Sequence, residues 1–234
     1  MEVIFFIIGC FLGSFYNVVA LRGIKKESII YPNSHCVICN HELGVKDLIP
    51  IISFLTLKGK CRYCGGQISK IYPIGEFFTG LSYMLLYIKF GLSVDLIIQI
   101  IIITILIINS LIDIKVMEIN AFTVYLASLL NLMLRVIFDV GNLLYYVLSG
   151  LGMFFLLFLL YKVFEGKMGG GDVKVYGAIG FSVGIVQSLT SIFYASIFAI
   201  IYFIIKVRDR EKPIPFVPFI YLGVMVSYFI KWGV

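Results

Sequence analysis

Apolar residues fall along this chain in long blocks rather than in alternation, and each block is about as long as a bilayer core is thick. A membrane-spanning helix needs roughly 17–25 predominantly apolar residues. Eight blocks meet or approach that length, at residues 3–21, 71–90, 94–112, 119–138, 143–164, 173–187, 189–207 and 216–230. The sixth and seventh nearly merge, divided only at Gln187-Ser188. The pattern predicts an all-α polytopic membrane protein with about eight transmembrane helices. A single polar, basic stretch interrupts it, between the first and second blocks. The expected organisation is a first transmembrane helix over 1–22, a cytoplasmic segment over 23–70 and a helical membrane domain over 71–234.

Composition supports the membrane class. The chain has 234 residues, 61% of them hydrophobic and 14% charged, with a mean hydropathy of +1.04. Soluble domains run near ~25% charged and ~45–50% apolar. The net charge of +6 is a topological signal. With eight spans and the N-terminus outside, every Lys and Arg except Lys89, Arg135 and Lys231 falls on one side. The positive-inside rule makes that side cytoplasmic and leaves both termini outside, the orientation expected of a protein of the cytoplasmic (inner) membrane. The charge therefore does not point to nucleic acid. The first block lacks a basic lead-in and a small-residue cleavage site, so it reads as a retained span, and no lipidation motif is evident.

The polar segment carries Cys36-Val37-Ile38-Cys39 and, after 21 intervening residues, Cys61-Arg62-Tyr63-Cys64. Paired CxxC knuckles let four thiolates converge on one tetrahedral ion, and Gly65-Gly66 permits the tight turn after the second pair. Four thiolates leave no open position, so a zinc ion here is structural. So short a segment with few aliphatic runs needs such a staple to fold. Two disulfides are the alternative, disfavoured by a reducing compartment. His35 and His41 flank the first knuckle and read as surface residues, and Cys10 reads as an ordinary buried residue.

Two carboxylates stand at the ends of apolar blocks. Asp113 closes the third in Leu111-Ile112-Asp113-Ile114-Lys115, and Asp172 opens the sixth in Gly169-Gly170-Gly171-Asp172-Val173-Lys174. Two spans separate them, and an even number returns the chain to the same face, so both reach the cytoplasmic boundary. Ionisable groups at membrane depth are costly and mark function. Each also has a plain reading, Asp113 as an interfacial helix end and Asp172 as an N-cap. The glycine run favours chemistry, because it allows close backbone approach at a catalytic edge. Asp95 and Asp139 fall in external loops and read as solvated, while Glu118 and Glu76 suit the first turns of their helices. Pro213, Pro215 and Pro218 give the eighth block a rigid, non-helical start.

These motifs resemble those of the type IV prepilin peptidases, bifunctional membrane enzymes, over essentially the whole length. The matching residues are Gly13-Ser14-Phe15-Tyr16-Asn17 with Arg22; the four cysteines; Asp47-Leu48-Ile49-Pro50; Gly59-Lys60-Cys61; Tyr72-Pro73 with Glu76; Asp113; Gly169-x-Gly171-Asp172-x-Lys174; and Ile214-Pro215-Phe216-x-Pro218-Phe219. One departure is Asn120, where the family often has proline seven residues past the first catalytic aspartate. The resemblance implies that Asp113 and Asp172 are the catalytic pair, with Gly169, Gly171 and Lys174 in the catalytic loop. It implies removal of the leader from prepilins and pseudopilins after a glycine, and N-methylation of the new N-terminus with S-adenosylmethionine. Asn17, Arg22 and Glu76 are the candidates for that second activity. The competing class is an ion-coupled transporter or membrane assembly factor, using the aspartates for coupling and the cysteine segment for docking. Oligomeric state is not encoded in any of these features.

Overall fold

The computed structural model describes residues 1–164, 169–206 and 213–230. It divides into two compact units, Met1–Ile88 and Lys89–Val234.

The first unit holds α1 (Glu2–Lys25), the cysteine-bearing segment with the short α2 (Ile52–Thr56), and α3 (Ile71–Phe90). The long helices meet through small residues: a Cβ added at Gly9 of α1 would lie 2.7 Å from the Gly80 Cα of α3. Phe5 stacks on Tyr87 with ring centres 4.5 Å apart, and the Tyr16 and Tyr83 hydroxyls lie 2.8 Å apart. Glycine-mediated approach of backbones is the usual packing mode where lipid supplies no hydrophobic drive between helices.

The second unit holds α4 (Val94–Val116), α5 (Ala121–Phe138), α6 (Leu143–Val163), α7 (Gly170–Val183), α8 (Ile185–Lys206) and α9 (Val217–Ser227). Its centre is α4, which packs against α5, α7 and α9, while α6 lies on α7 and α8 on α9. The sequence explains why α4 is central: Ile98, Ile102, Ile103 and Leu106 form an apolar run that is completely buried, as expected of a helix hydrophobic all round.

The apolar blocks of the sequence are helical over most of their described length. Among the described residues, five are long and apolar enough to cross a membrane: Glu2–Lys25, Val94–Val116, Ala121–Phe138, Val140–Val163 and Ile185–Lys206. These make the chain a multi-pass membrane protein. The α3 helix is 20 residues long but carries Glu76 and Lys89, and α7 and α9 have only 14 and 11 residues, about 21 and 17 Å at 1.5 Å per residue. The boundary expected at Gln187-Ser188 falls instead at Gly184, whose φ of 82° turns the chain between α7 and α8. Ser188 sits comfortably inside α8 because its hydroxyl donates to the Gly184 carbonyl at 2.6 Å, which removes the polarity that made it look like a break.

Candidate active site

Asp113 and Asp172 both belong to the second unit and stand at the same end of it. α4 continues to Val116, so Asp113 occupies its last turn, and it is only 7% exposed. That is a buried position rather than an interfacial helix end. One oxygen, Oδ2, accepts the Val217 N–H at 2.9 Å, and the Phe216 N–H lies near the same carboxylate. Those two amides open α9, whose N-cap is Phe216 and which has no side-chain cap of its own.

Asp172 lies in the first turn of α7, but the N-cap is Gly169, and no side chain caps this helix. The N-cap reading of Asp172 is therefore corrected: the residue is two positions inside the helix, and its own amide donates to the Gly169 carbonyl at 3.1 Å. α4 packs against α7, and the two carboxylates are within electrostatic reach of one another. Among the described residues neither forms an ion pair, although Lys115 and Lys174 each follow two residues behind.

The glycine pattern has a local cause. A Cβ at Gly169 would stand 3.0 Å from Asp172 Oδ2, and one at Gly171 would stand 3.0 Å from Ile119 Cγ1 in the α4–α5 turn. At Gly170 it would meet the Tyr161 ring at 3.7 Å, an ordinary contact. The crowded positions are thus the first and third of the run. In the same turn Asn120 caps α5 through Thr123 and donates its amide to Asn109 Oδ1 at 2.7 Å. A proline there could not make that second bond.

In the first unit the four cysteine Sγ atoms lie within 4.8 Å of one another. Cys36 and Cys64 Sγ are 3.9 Å apart, close to the roughly 3.8 Å between ligands of a tetrahedral ion with Zn–S bonds of about 2.3 Å. The knuckles repeat one geometry. Cys36 and Cys61 donate their amides to His41 and Gly66 carbonyls at 2.9 and 2.7 Å, and each turn passes through a left-handed residue, Asn40 or Gly65. The Cys39 and Ile38 amides hold the Cys36 thiol down at about 6, so that it is available as the thiolate a metal binds. Cys64, although the Gly66 amide favours its thiolate, is pushed up to about 11 by burial and by the neighbouring thiols. Four groups crowd the same charge, which is the donor set a cation satisfies. Neither histidine joins the cluster: His41 stacks on Tyr63 and His35 Nδ1 lies 3.0 Å from the Asn33 carbonyl. Asp47 ties its own turn to the second knuckle, accepting from Arg62 Nε at 2.7 Å. That contact first, and then the Gly44 amide, hold its carboxyl below the usual range.

Asn17, Arg22 and Glu76 are all buried, and each ties chain segments together. Glu76 Oε2 accepts the Ile51 N–H at 2.7 Å, fixing a β-branched residue in the left-handed region at φ 62°, which such residues rarely adopt. Arg22 donates to the carbonyls of Ser28, Ile29 and Asn33. Asn17 donates to Gly13 and Tyr72 carbonyls, while its Oδ1 has no partner among the described residues.

Comparison with known proteins now decides the family. The Bacterial Peptidase A24 N-terminal domain matches residues 7–90, and the Type IV leader peptidase family matches residues 100–204. A prepilin leader peptidase/N-methyltransferase of Bacillus subtilis (strain 168) is 34% identical over 230 residues, covering 96% of this chain and 92% of the relative. The chain belongs to the type IV leader peptidase family. A relative of the same description from Aeromonas salmonicida (strain A449) is 28% identical over 89% of this chain and 74% of its own. One from Myxococcus xanthus (strain DK1622) is 37% identical over 47% and 33%. No solved structure is significantly similar.

For this leader-peptidase chain, the sequence did not foretell the contact between Asp113 and the start of α9, residues 104 apart. The one available signal was the absence of Ser, Thr, Asp or Asn at the head of a proline-framed helix, whose free amides then need an acceptor from elsewhere.

Proposed function

We propose that this protein is an intramembrane aspartyl endopeptidase that removes the leader of type IV prepilins or pseudopilins after a glycine at the cytoplasmic face, and then N-methylates the exposed N-terminus. The observation that carries the reading is that Asp113 and Asp172 lie within electrostatic reach at one end of the second unit, with no cation paired to either among the described residues. Relatives named prepilin leader peptidase/N-methyltransferase support the substrate class and the second activity. In this reading the apolar helices α1 and α3 to α9 are embedded in the inner membrane with both termini outside, and the distribution of basic residues supports a cytoplasmic location for the aspartate-bearing end.

Two carboxylates in a low-dielectric site share one proton. The ionised member takes a proton from a water, whose oxygen attacks the scissile carbonyl carbon while the protonated member hydrogen-bonds the carbonyl oxygen. The tetrahedral intermediate then collapses, the C–N bond breaks, and the leaving amine takes up a proton from the pair. Water has been added across one amide, and the pair returns to its starting state. S-adenosylmethionine, when bound, would supply the methyl group from its sulfonium centre, and the amine would lose a proton to solvent as it is methylated. Asn17, Arg22 and Glu76 serve this second step by holding the cysteine segment and its flanking loop on α1 and α3. A zinc ion held by Cys36, Cys39, Cys61 and Cys64 is structural there.

Incubating the purified protein with a prepilin, with and without S-adenosylmethionine, and weighing the product's first residue tests both activities. Cleavage after glycine, with a methyl added only when the donor is present, is the expected result. A prepilin left intact removes the peptidase reading. Metal analysis of folded, reduced protein is expected to give about one zinc per chain, and metal-free folded protein would remove the ion from the proposal.

A further inference from the structure

We propose that the start of α9 is a positioning element of the peptidase site, its backbone amides fixing Asp113 as the charged carboxylate that activates the water. The inference rests on the aspartyl-peptidase reading and adds a division of labour within the pair.

Helix α9 begins in an unusual way. Pro215 and Pro218 bracket Phe216-Val217, and no side chain caps the helix. Prolines in a first turn fix the backbone without loss, because amides there have no intrahelical acceptor. The amides that remain free belong to Phe216 and Val217; the Val217 amide is spent on the Asp113 carboxylate, and the Phe216 amide lies beside the same group. The prolines therefore present two donors in a fixed direction rather than leaving them to water.

Asp113 needs that help. It sits in the last turn of α4, where the negative end of the helix dipole disfavours an anion. Alone, α4 would be a poor place to keep a buried carboxylate charged. The opening turn of α9 brings the positive end of another helix to the same group, and hydrogen bonds donated to a carboxylate favour its ionised form. Asp172 is placed differently. Among the described residues its carboxylate accepts no hydrogen bond, and its near neighbour is the backbone of Gly169. One carboxylate is gripped and the other is left free to carry the proton and to move with the substrate carbonyl.

The test uses the full-length enzyme with the Phe216–Val217 amide replaced by an ester, introduced as the α-hydroxy analogue of valine at position 217. This deletes one N–H and leaves every side chain in place. The expected result is a fall in kcat for prepilin cleavage of about 100-fold, the scale of losing one preorganised donor, with KM and the unfolding temperature unchanged. An ester between Phe219 and Ile220 is the control. It removes the Ile220 amide that donates to the Phe216 carbonyl, loosening the same turn without touching Asp113, and is expected to leave kcat within about twofold. The proposal is overturned if the 217 ester cleaves at the normal rate, if the loss falls on KM, or if the control loses as much. Asp113→Asn separates the two levels of the argument. If it is inactive while the 217 ester works normally, only the clamp fails; if Asp113→Asn itself cleaves normally, the aspartyl reading fails with it.

Discussion

The two ends of the second unit treat buried charge in opposite ways. At one end, Arg135 is 3% exposed and paired with acids: its Nη1 lies 2.9 Å from Asp95 and 2.8 Å from Asp139, while its Nε has no partner among the described residues. Its guanidinium also lies 3.7 Å over the Tyr146 ring. Neutral groups continue the network, with Asn131 donating to the Ser182 hydroxyl at 2.7 Å and Tyr228 to Gln99 at 2.8 Å. Asp95 and Asp139, expected from sequence to be solvated loop acids, are instead the counter-charges of this arginine. At the other end, Asp113 and Asp172 lie within electrostatic reach of one another, with no cation paired to them among the described residues. A charge buried for architecture comes with its opposite, since an unpaired one costs too much. Carboxylates brought together without that compensation are the arrangement expected of chemistry.

The sharpest way to break this contrast is to neutralise each end in turn. Asp113→Asn and Asp172→Asn should each lower leader cleavage by roughly 10⁴-fold or more, the scale seen when a member of a catalytic unit is removed. Because neither charge has a cation paired to it among the described residues, the unfolding temperature should hold or rise. A marked loss of stability in either variant would mean that the carboxylates are structural, and the contrast would collapse. Arg135→Ala should do the reverse. It strands two acids, but Asp95 is half exposed and Asp139 partly so, so water recovers part of the loss and the cost is about 2–3 kcal/mol, below the range for a fully buried pair. Cleavage per folded molecule should stay near normal, measured in detergent beside the unfolding curve.

What was readable from the sequence follows the same division. The helices were legible because each apolar block is long and uninterrupted, and the parity of spans alone put Asp113 and Asp172 on one face. The cysteine cluster was legible because CxxC spacing dictates its own turn. The α7–α8 break was not, since it depends on the left-handed conformation of Gly184, whereas the polar Gln187-Ser188 pair that marked it in the sequence folds quietly into α8. Arg135 offered a signal in Asp139 four residues on, but its second partner, Asp95, is 40 positions earlier. Nothing local announces such a pairing, nor the bond from α9 to Asp113.

A smaller effect sharpens the architectural end. Tyr228→Phe removes the hydroxyl that donates to Gln99 Oε1 inside the network. A buried acceptor left without a partner costs about 1–3 kcal/mol, so the variant should unfold earlier while cleaving normally. If Tyr228→Phe instead slows cleavage at unchanged stability, the two ends are coupled and the contrast between them is too simple.

The finest test lies in the glycine run beside Asp172, where the geometry separates neighbours. A methyl at Gly171 would press on Ile119 at 3.0 Å and one at Gly169 on the Asp172 carboxylate itself, whereas at Gly170 it would touch Tyr161 only at normal distance. Gly171→Ala and Gly169→Ala should therefore displace Asp172 and lower kcat by about tenfold, which corresponds to ~1.4 kcal/mol in the barrier. Gly170→Ala should leave it within about twofold, since the added methyl meets Tyr161 only at an ordinary contact distance. Equal losses at all three positions would show that the run acts through backbone freedom, with α7 moving during turnover. Loss confined to 169 and 171 would show that it acts through space, keeping the uncompensated carboxylate at the position its partner requires.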